Sequence, residues 1–368
     1  MLSSPASRNI FLCLFFLSGL GLVQVYSSSF LFATETYGNG LFFFKKQLIF
    51  TLIGWSAFFR IAFIPWKYNR YLGMLLWFLS VLLLVFTLFP QTSVSVGGAR
   101  RWIQLPFSFR FQPSELVKIT TPFLLTWLLV LKEKWPLQQV FFWFIPLFAM
   151  GLPLIILVLQ PDFGTVVLLC ALIASLVFIL GLPWLYFILG LSILSAVLFY
   201  FVINVDYRFA RWFAFLDPWA DPFGKGFQVI QSLLGVHSGG LFGVGLGKGQ
   251  SKLFFLPEAH TDFTLAVLAE ETGFIGLLIL FSVYGFLIYT GFKLSLKIHD
   301  FYEKTLSFCL IFMFAMSVFI HCAVNLALLP AKGIALPFLS YGGSSLLCSF
   351  LLFGWIISIE KNNRSDYD

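Results

Sequence analysis

One carboxylate stands where a polar segment meets an apolar one, in the run Leu256-Pro257-Glu258-Ala259-His260-Thr261-Asp262-Phe263. Asp262 is thereby placed to be partly desolvated and still reach a substrate on the water side. Partial desolvation raises a carboxylate pKa and makes it a better general base. An Asp ahead of an apolar run is also a common helix N-cap, so capping is a second reading of the same residue. Asp217 and Asp221 each precede a proline and are explained by turns, and Glu258, after Pro257, by helix entry. Glu115 and Lys118 are spaced i, i+3, which sets them on one helix face as an ion pair, either structural or facing a substrate. Glu270 and Glu271 lie about 10 Å into the apolar run that starts at Phe263, at ~1.5 Å per residue. Carboxylates at such depth are costly, and two roles are open for them, in a pocket or in helix packing. Arg100 and Arg101, followed by Trp102, could grip a pyrophosphate through bidentate contacts or bind lipid headgroups. The glycine run 239–249 lacks the strand–helix setting of a phosphate loop and has Gly249 where that loop needs Ser or Thr. It reads as a close-packed or flexible loop. No cluster has metal-ligand spacing, so no cofactor is expected.

The elements that must hold these groups follow from composition. The chain has 368 residues, 60% of them hydrophobic and only 11% charged. Soluble domains carry about 25% charged residues, so a water-soluble enzyme of this length is excluded, as is a disordered chain. A spanning helix needs ~20 apolar residues. Apolar segments fall at 9–33, 47–66, 71–90, 114–131, 138–159, 164–181, 183–204, 263–292, 306–329 and 337–358, which predicts ten spans in a single polytopic domain over 1–368. The first is longer than a signal-peptide core and reads as a retained helix. The fold class is thus an all-α integral membrane protein. Its one large loop, 205–262, lies between helices 7 and 8, rich in glycine and aromatics, and is expected on the outer face.

An even number of spans puts both termini on one side. With the long loop set aside, the cations Arg8, Lys67, Arg70, Lys132, Lys134, Lys293, Lys297, Lys304, Lys361 and Arg364 share the side of the termini. Lys45, Lys46, Arg100, Arg101, Arg110 and Lys332 lie on the other. The positive-inside rule then favours cytoplasmic termini, and the cations left outside call for an anionic ligand. The net charge of +7 belongs to topology and headgroups, not to nucleic acid. The five cysteines all lie in apolar runs, with no disulfide framework.

An ordered set of runs carries a family resemblance. It comprises Gly98-Ala99-Arg100-Arg101-Trp102, Phe111-Gln112-Pro113-Ser114-Glu115 with Lys118, Gln160-Pro161-Asp162-Phe163-Gly164-Thr165, Asp217-Pro218-Trp219, and Gly226-Phe227-Gln228. It continues with Leu256 through Phe263, Glu270-Glu271, and Lys332-Gly333 through Ser340-Tyr341-Gly342-Gly343-Ser344-Ser345. The chain resembles the SEDS family of shape, elongation, division and sporulation polymerases over nearly its whole length. Asp217-Pro218-Trp219 and Pro257-Glu258-Ala259-His260 are closer to the FtsW branch than to RodA. Gly97, His237, Thr264 and Ala331 depart from the family pattern, and none touches the candidate base.

The resemblance implies ten spans with cytoplasmic termini in the bacterial inner membrane, at the division septum. It implies polymerisation of lipid II, the undecaprenyl-pyrophosphate-linked disaccharide pentapeptide, into glycan strands, with a class B penicillin-binding protein transpeptidase and other divisome membrane proteins as partners. Asp262 aligns with the family's essential acid. Arg100, Arg101, Trp102, Glu115, Lys118, Arg208, Arg211, Glu258, His260, Lys332 and Ser344 are the expected substrate-binding set. One direct displacement predicts inversion at the anomeric carbon. The competing readings are a lipid II flippase, an elongation polymerase of the RodA kind, and a scaffold that only recruits a transpeptidase. Intramembrane Glu115, Lys118, Glu270 and Glu271 would suit an ion-coupled flippase, but no inverted halves are found.

Overall fold

The computed structural model describes residues 4–96, 99–106, 109–134, 144–179, 184–203, 212, 215–224, 226–330 and 333–365. Seven helices come first: α1 (Pro5–Tyr37), α2 (Phe42–Phe63), α3 (Trp66–Phe86), α4 (Pro113–Lys134), α5 (Phe144–Leu159), α6 (Phe163–Ile179) and α7 (Trp184–Ile203). A short helix α8 (Phe227–Ser238) follows, then α9 (Thr264–Leu296), α10 (Phe301–Asn325) and α11 (Gly343–Ser365). Apart from α8, each helix falls on one of the ten apolar segments. Five of them, α1, α3, α9, α10 and α11, are long and apolar enough to cross a membrane by length and composition. The architecture is that of an all-α membrane protein.

Helix ends follow local chemistry. The Ser4 side chain accepts the Ser7 N–H at 2.8 Å, with Pro5 in the first turn, and α1 stops at Gly38 in the left-handed region. The core is aromatic: Trp355, Tyr284, Phe58, Phe123, Phe338, Phe350 and Phe353 are fully buried. Outward faces are apolar as well. Phe15, Leu52, Leu75 and Phe78 are each more than 60% exposed, which suits acyl chains and not water. Buried side chains on opposed helices hold the bundle. Asn69 of α3, for instance, donates Nδ2 to the Ile61 carbonyl at 2.8 Å and to Ser358 Oγ of α11 at 2.7 Å.

Three features were not foreseen. The turn after α3 is a small antiparallel sheet of β1 (Ser93–Val96), β2 (Ala99–Gln104) and β3 (Arg110–Phe111) in the order β1-β2-β3. The last span begins at Gly343, not at Pro337, because 333–342 runs as non-helical backbone with Phe338 at φ 70°. Finally, α9 is broken at Gly273, whose φ of 67° and ψ of −168° lie outside the helix. The glycine run repairs that break. Val244 and Gly245 donate to the Glu270 and Glu271 carbonyls at 2.9 and 3.0 Å, and the Phe274 and Ile275 N–H groups donate to Gly240 and Leu241 at 2.9 and 3.2 Å. A Cβ on Gly243 would stand 2.2 Å from the Glu271 carbonyl oxygen, so only glycine fits there. Broken backbone at membrane depth persists only when its polar groups are met in this way. The run is therefore close-packed. The long loop is not a free tether over 226–263.

Candidate active site

The N-termini of α4, α6, α9 and α11 lie at the same end of the bundle, around the 333–342 segment. Asp262 precedes α9 and is half-buried. Its backbone N–H donates to the Glu258 carbonyl at 3.1 Å, and its carbonyl accepts from Asn325 Nδ2 at 3.0 Å. A Cβ placed on Gly333 would be 3.3 Å from Asp262 Oδ2, so the 333–342 segment runs alongside the carboxylate. The capping position of α9 is Phe263, and the first-turn N–H of Ala266 is met by Asn325 Oδ1 at 3.2 Å. The same N–H also donates to the Phe263 carbonyl at 3.1 Å, so Asn325 braces the first turn of α9 from a neighbouring helix.

The other acidic residues at this end are engaged by nearby side chains or backbone. Asp162 caps α6: Thr165 donates its N–H to Oδ1 at 3.4 Å and its hydroxyl to Oδ2 at 3.0 Å, and Ser114 of α4 donates to Oδ2 at 2.9 Å. Glu115 accepts from Lys118 Nζ at 2.6 Å, with both side chains largely buried. Glu258, exposed and at φ 56°, accepts the Thr261 hydroxyl at 2.8 Å. His260 stacks on Phe32 and lies near Phe43 and Tyr341, and its carbonyl accepts the Tyr341 N–H at 2.8 Å. Burial pushes its imidazole below the ordinary histidine pKa, with the Glu258 charge opposing that shift. Ser344 accepts the Gln112 N–H at 2.9 Å, joining the start of α11 to that of α4.

Arg100 and Arg101 part company on β2. Arg100 is exposed, whereas Arg101 donates Nε to the Gln160 carbonyl at 2.9 Å and Nη2 to that of Pro161 at 2.6 Å. Trp102 is half-buried and pairs with Val94 on β1. Arg208, Arg211 and Lys332 lie outside the described residues. Glu270 and Glu271 belong to packing. Glu270 accepts the Gln250 and Ser251 N–H groups at 2.7 and 3.0 Å, and Glu271 accepts Lys252 Nζ at 2.5 Å and Ser27 Oγ at 2.7 Å. Sequence reasoning missed Asn325 and the Gln112–Ser114–Asp162 cluster. A lone amide at the end of an apolar helix was the available signal for Asn325.

The FtsW/RodA/SpoVE family, described as cell cycle proteins, matches residues 7–365. The chain belongs to this family. Among relatives of family members, a probable peptidoglycan glycosyltransferase FtsW from Geobacter sp. strain M18 is 38% identical over 353 residues, covering 95% of each chain. One of the same name from Saccharophagus degradans is 38% identical over 357 residues, covering 95% of this chain and 91% of its own. A chain solved in a study of how a peptidoglycan synthase complex coordinates polymerization and crosslinking superposes with a TM-score of 0.80, at 28% identity and 99% coverage of both chains. The rod shape determining protein RodA of Thermus thermophilus superposes at 0.70, with 25% identity and 96% coverage of both.

Proposed function

We propose that this chain is a peptidoglycan glycosyltransferase that polymerises lipid II into glycan strands, with Asp262 as its general base. In this reading the bundle spans the inner membrane ten times with cytoplasmic termini, and the end carrying Asp262 faces outward. The acceptor's sugar hydroxyl attacks the donor's anomeric carbon and inverts it, Asp262 takes the hydroxyl proton, and the lipid pyrophosphate leaves. General-base help of this kind contributes about 10²–10⁴ in rate. Pyrophosphate is already a good leaving group and needs positive charge more than an acid. Arg100 is exposed at the same end, and helix N-termini add positive potential there. The names of the relatives support the activity, and their FtsW character supports a septal role. A crosslinking transpeptidase, a class B penicillin-binding protein, is the proposed partner alongside other division proteins. The ties of Glu115, Glu270 and Glu271 to local partners weigh against an ion-coupled flippase.

The observation that carries the base assignment is the position of Asp262, half-buried at a polar–apolar junction with the 333–342 segment running beside its carboxylate. Asn caps a helix about as well as Asp but cannot take the proton. Asp262→Asn in purified protein should keep its folded yield and lose polymerisation by ~10²-fold or more, read as glycan products on a gel. Near wild-type polymer from that variant would make Asp262 a structural residue.

A further inference from the structure

We infer that Asn325 is a positioning residue for the reaction, acting through the backbone of Asp262. The inference rests on Asp262 being the reacting carboxylate. Asn325 ends α10 and is fully buried. Both its amide hydrogens and its amide oxygen are engaged. Nδ2 donates to the Asp262 carbonyl at 3.0 Å and to the His321 carbonyl of its own helix at 3.0 Å, and Oδ1 accepts the Ala266 N–H at 3.2 Å. Its backbone carbonyl accepts the Ser232 hydroxyl of α8 at 2.8 Å.

The two bonds to α9 straddle the junction. One holds the peptide that leaves Asp262, and the other holds the N–H four residues on. A primary amide is the side chain that can do both, because it presents donors and an acceptor at one site. Serine is too short to reach both partners. An ionised carboxylate of the same shape accepts from Ala266 but has nothing to donate to the Asp262 carbonyl. The orientation of the Asp262 side chain follows its backbone, so α10 sets the direction in which the base points. Misplacement of a reacting group by about 1 Å can cost 10²-fold in rate.

The test compares Asn325→Asp and Asn325→Ser with Ser232→Ala, each assayed as purified full-length protein with lipid II. Rates are referred to the monodisperse folded fraction. The Asn325 variants should lose kcat by about 10–100-fold, with KM for lipid II held within about threefold. Ser232→Ala removes a buried bond to the same residue but leaves the amide intact, and its kcat should stay within about twofold of wild type. Wild-type kcat in the Asn325 variants overturns the inference. So does a loss of activity accounted for by lost folded protein, or an equal loss of kcat in Ser232→Ala. Asp262→Asn is run alongside. If it is inactive while the Asn325 variants keep full kcat, the positioning role alone fails; if it is active, the base assignment fails and takes the positioning role with it.

Discussion

Adjacent residues on a strand point to opposite faces, and this separates two arginines that a sequence presents as a pair. Arg101 is spent on the Gln160 and Pro161 carbonyls, where it ties the sheet to the start of α6. Arg100 is exposed at the end of the bundle that holds Asp262. The two substitutions should therefore differ in kind. Arg100→Gln is expected to raise the lipid II concentration needed for half-maximal rate about tenfold, with thermal stability unchanged, as for one lost charge-assisted contact. Arg101→Gln is expected to cost on the order of 2 kcal/mol of stability, because two buried-side carbonyls lose a charged donor. Steady-state kinetics and thermal melts in detergent separate the effects. Equal kinetic losses with equal melts would restore the paired clamp.

At the scale of elements, the instructive piece is the splice between the glycine run and the break in α9. The run carries positive φ at Gly240, Gly243, Gly245 and Gly247, but only some of these glycines are sterically required. Gly243→Ala would place a methyl against the Glu271 carbonyl, whereas Gly247→Ala meets nothing within 4 Å. The left-handed backbone costs each about 1–2 kcal/mol, and overpacking adds about 1–3 kcal/mol at Gly243 alone. Gly243→Ala should thus melt well below Gly247→Ala, and equal melting temperatures would mean that the splice is not rigid. This device also marks where the sequence stops being readable. Apolar runs place every long helix, since hydropathy is a local property. Asp262 stands out because it sits at a local boundary. The pairing of 239–249 with a break thirty residues on, the non-helical 333–342 segment and the Asn325 clamp depend on contacts between distant parts of the chain. No periodicity encodes those. Glu270 and Glu271 look like intramembrane function until their partners, Gln250, Ser251, Lys252 and Ser27, are seen.

For the whole molecule, the uneven coverage of the bundle bears on the partner. Helix α1 buries Ile10, Leu14, Leu17 and Val25 completely against its neighbours. Helix α7 does not: Trp184, Leu185, Ile193 and Phe199 are each more than 60% exposed, and Ile188 and Leu189 at least half. At about 100° per residue those positions spread over half of the helix circumference, so α7 presents a broad apolar surface that only lipid or another span can cover. By contrast, the loop beyond α8 is fixed to α9 through the glycine splice, and to both α9 and α1 through buried Lys252, which donates to Glu271 and to Ser27. The proposed crosslinking partner therefore has little to order between Gly239 and Phe263. It has much to cover between Trp184 and Ile203. Hydrogen exchange is the measurement, because local stability reports buried contacts and backbone bonds. On complex formation, protection should rise in Trp184–Ile203 and in Phe215–Gly224, with little change in Gly239–Phe263. Protection gained mainly in Gly239–Phe263 would show that the splice is loose before the partner arrives. Complex formation with no change in Trp184–Ile203 would put the partner contact on a different face of the bundle.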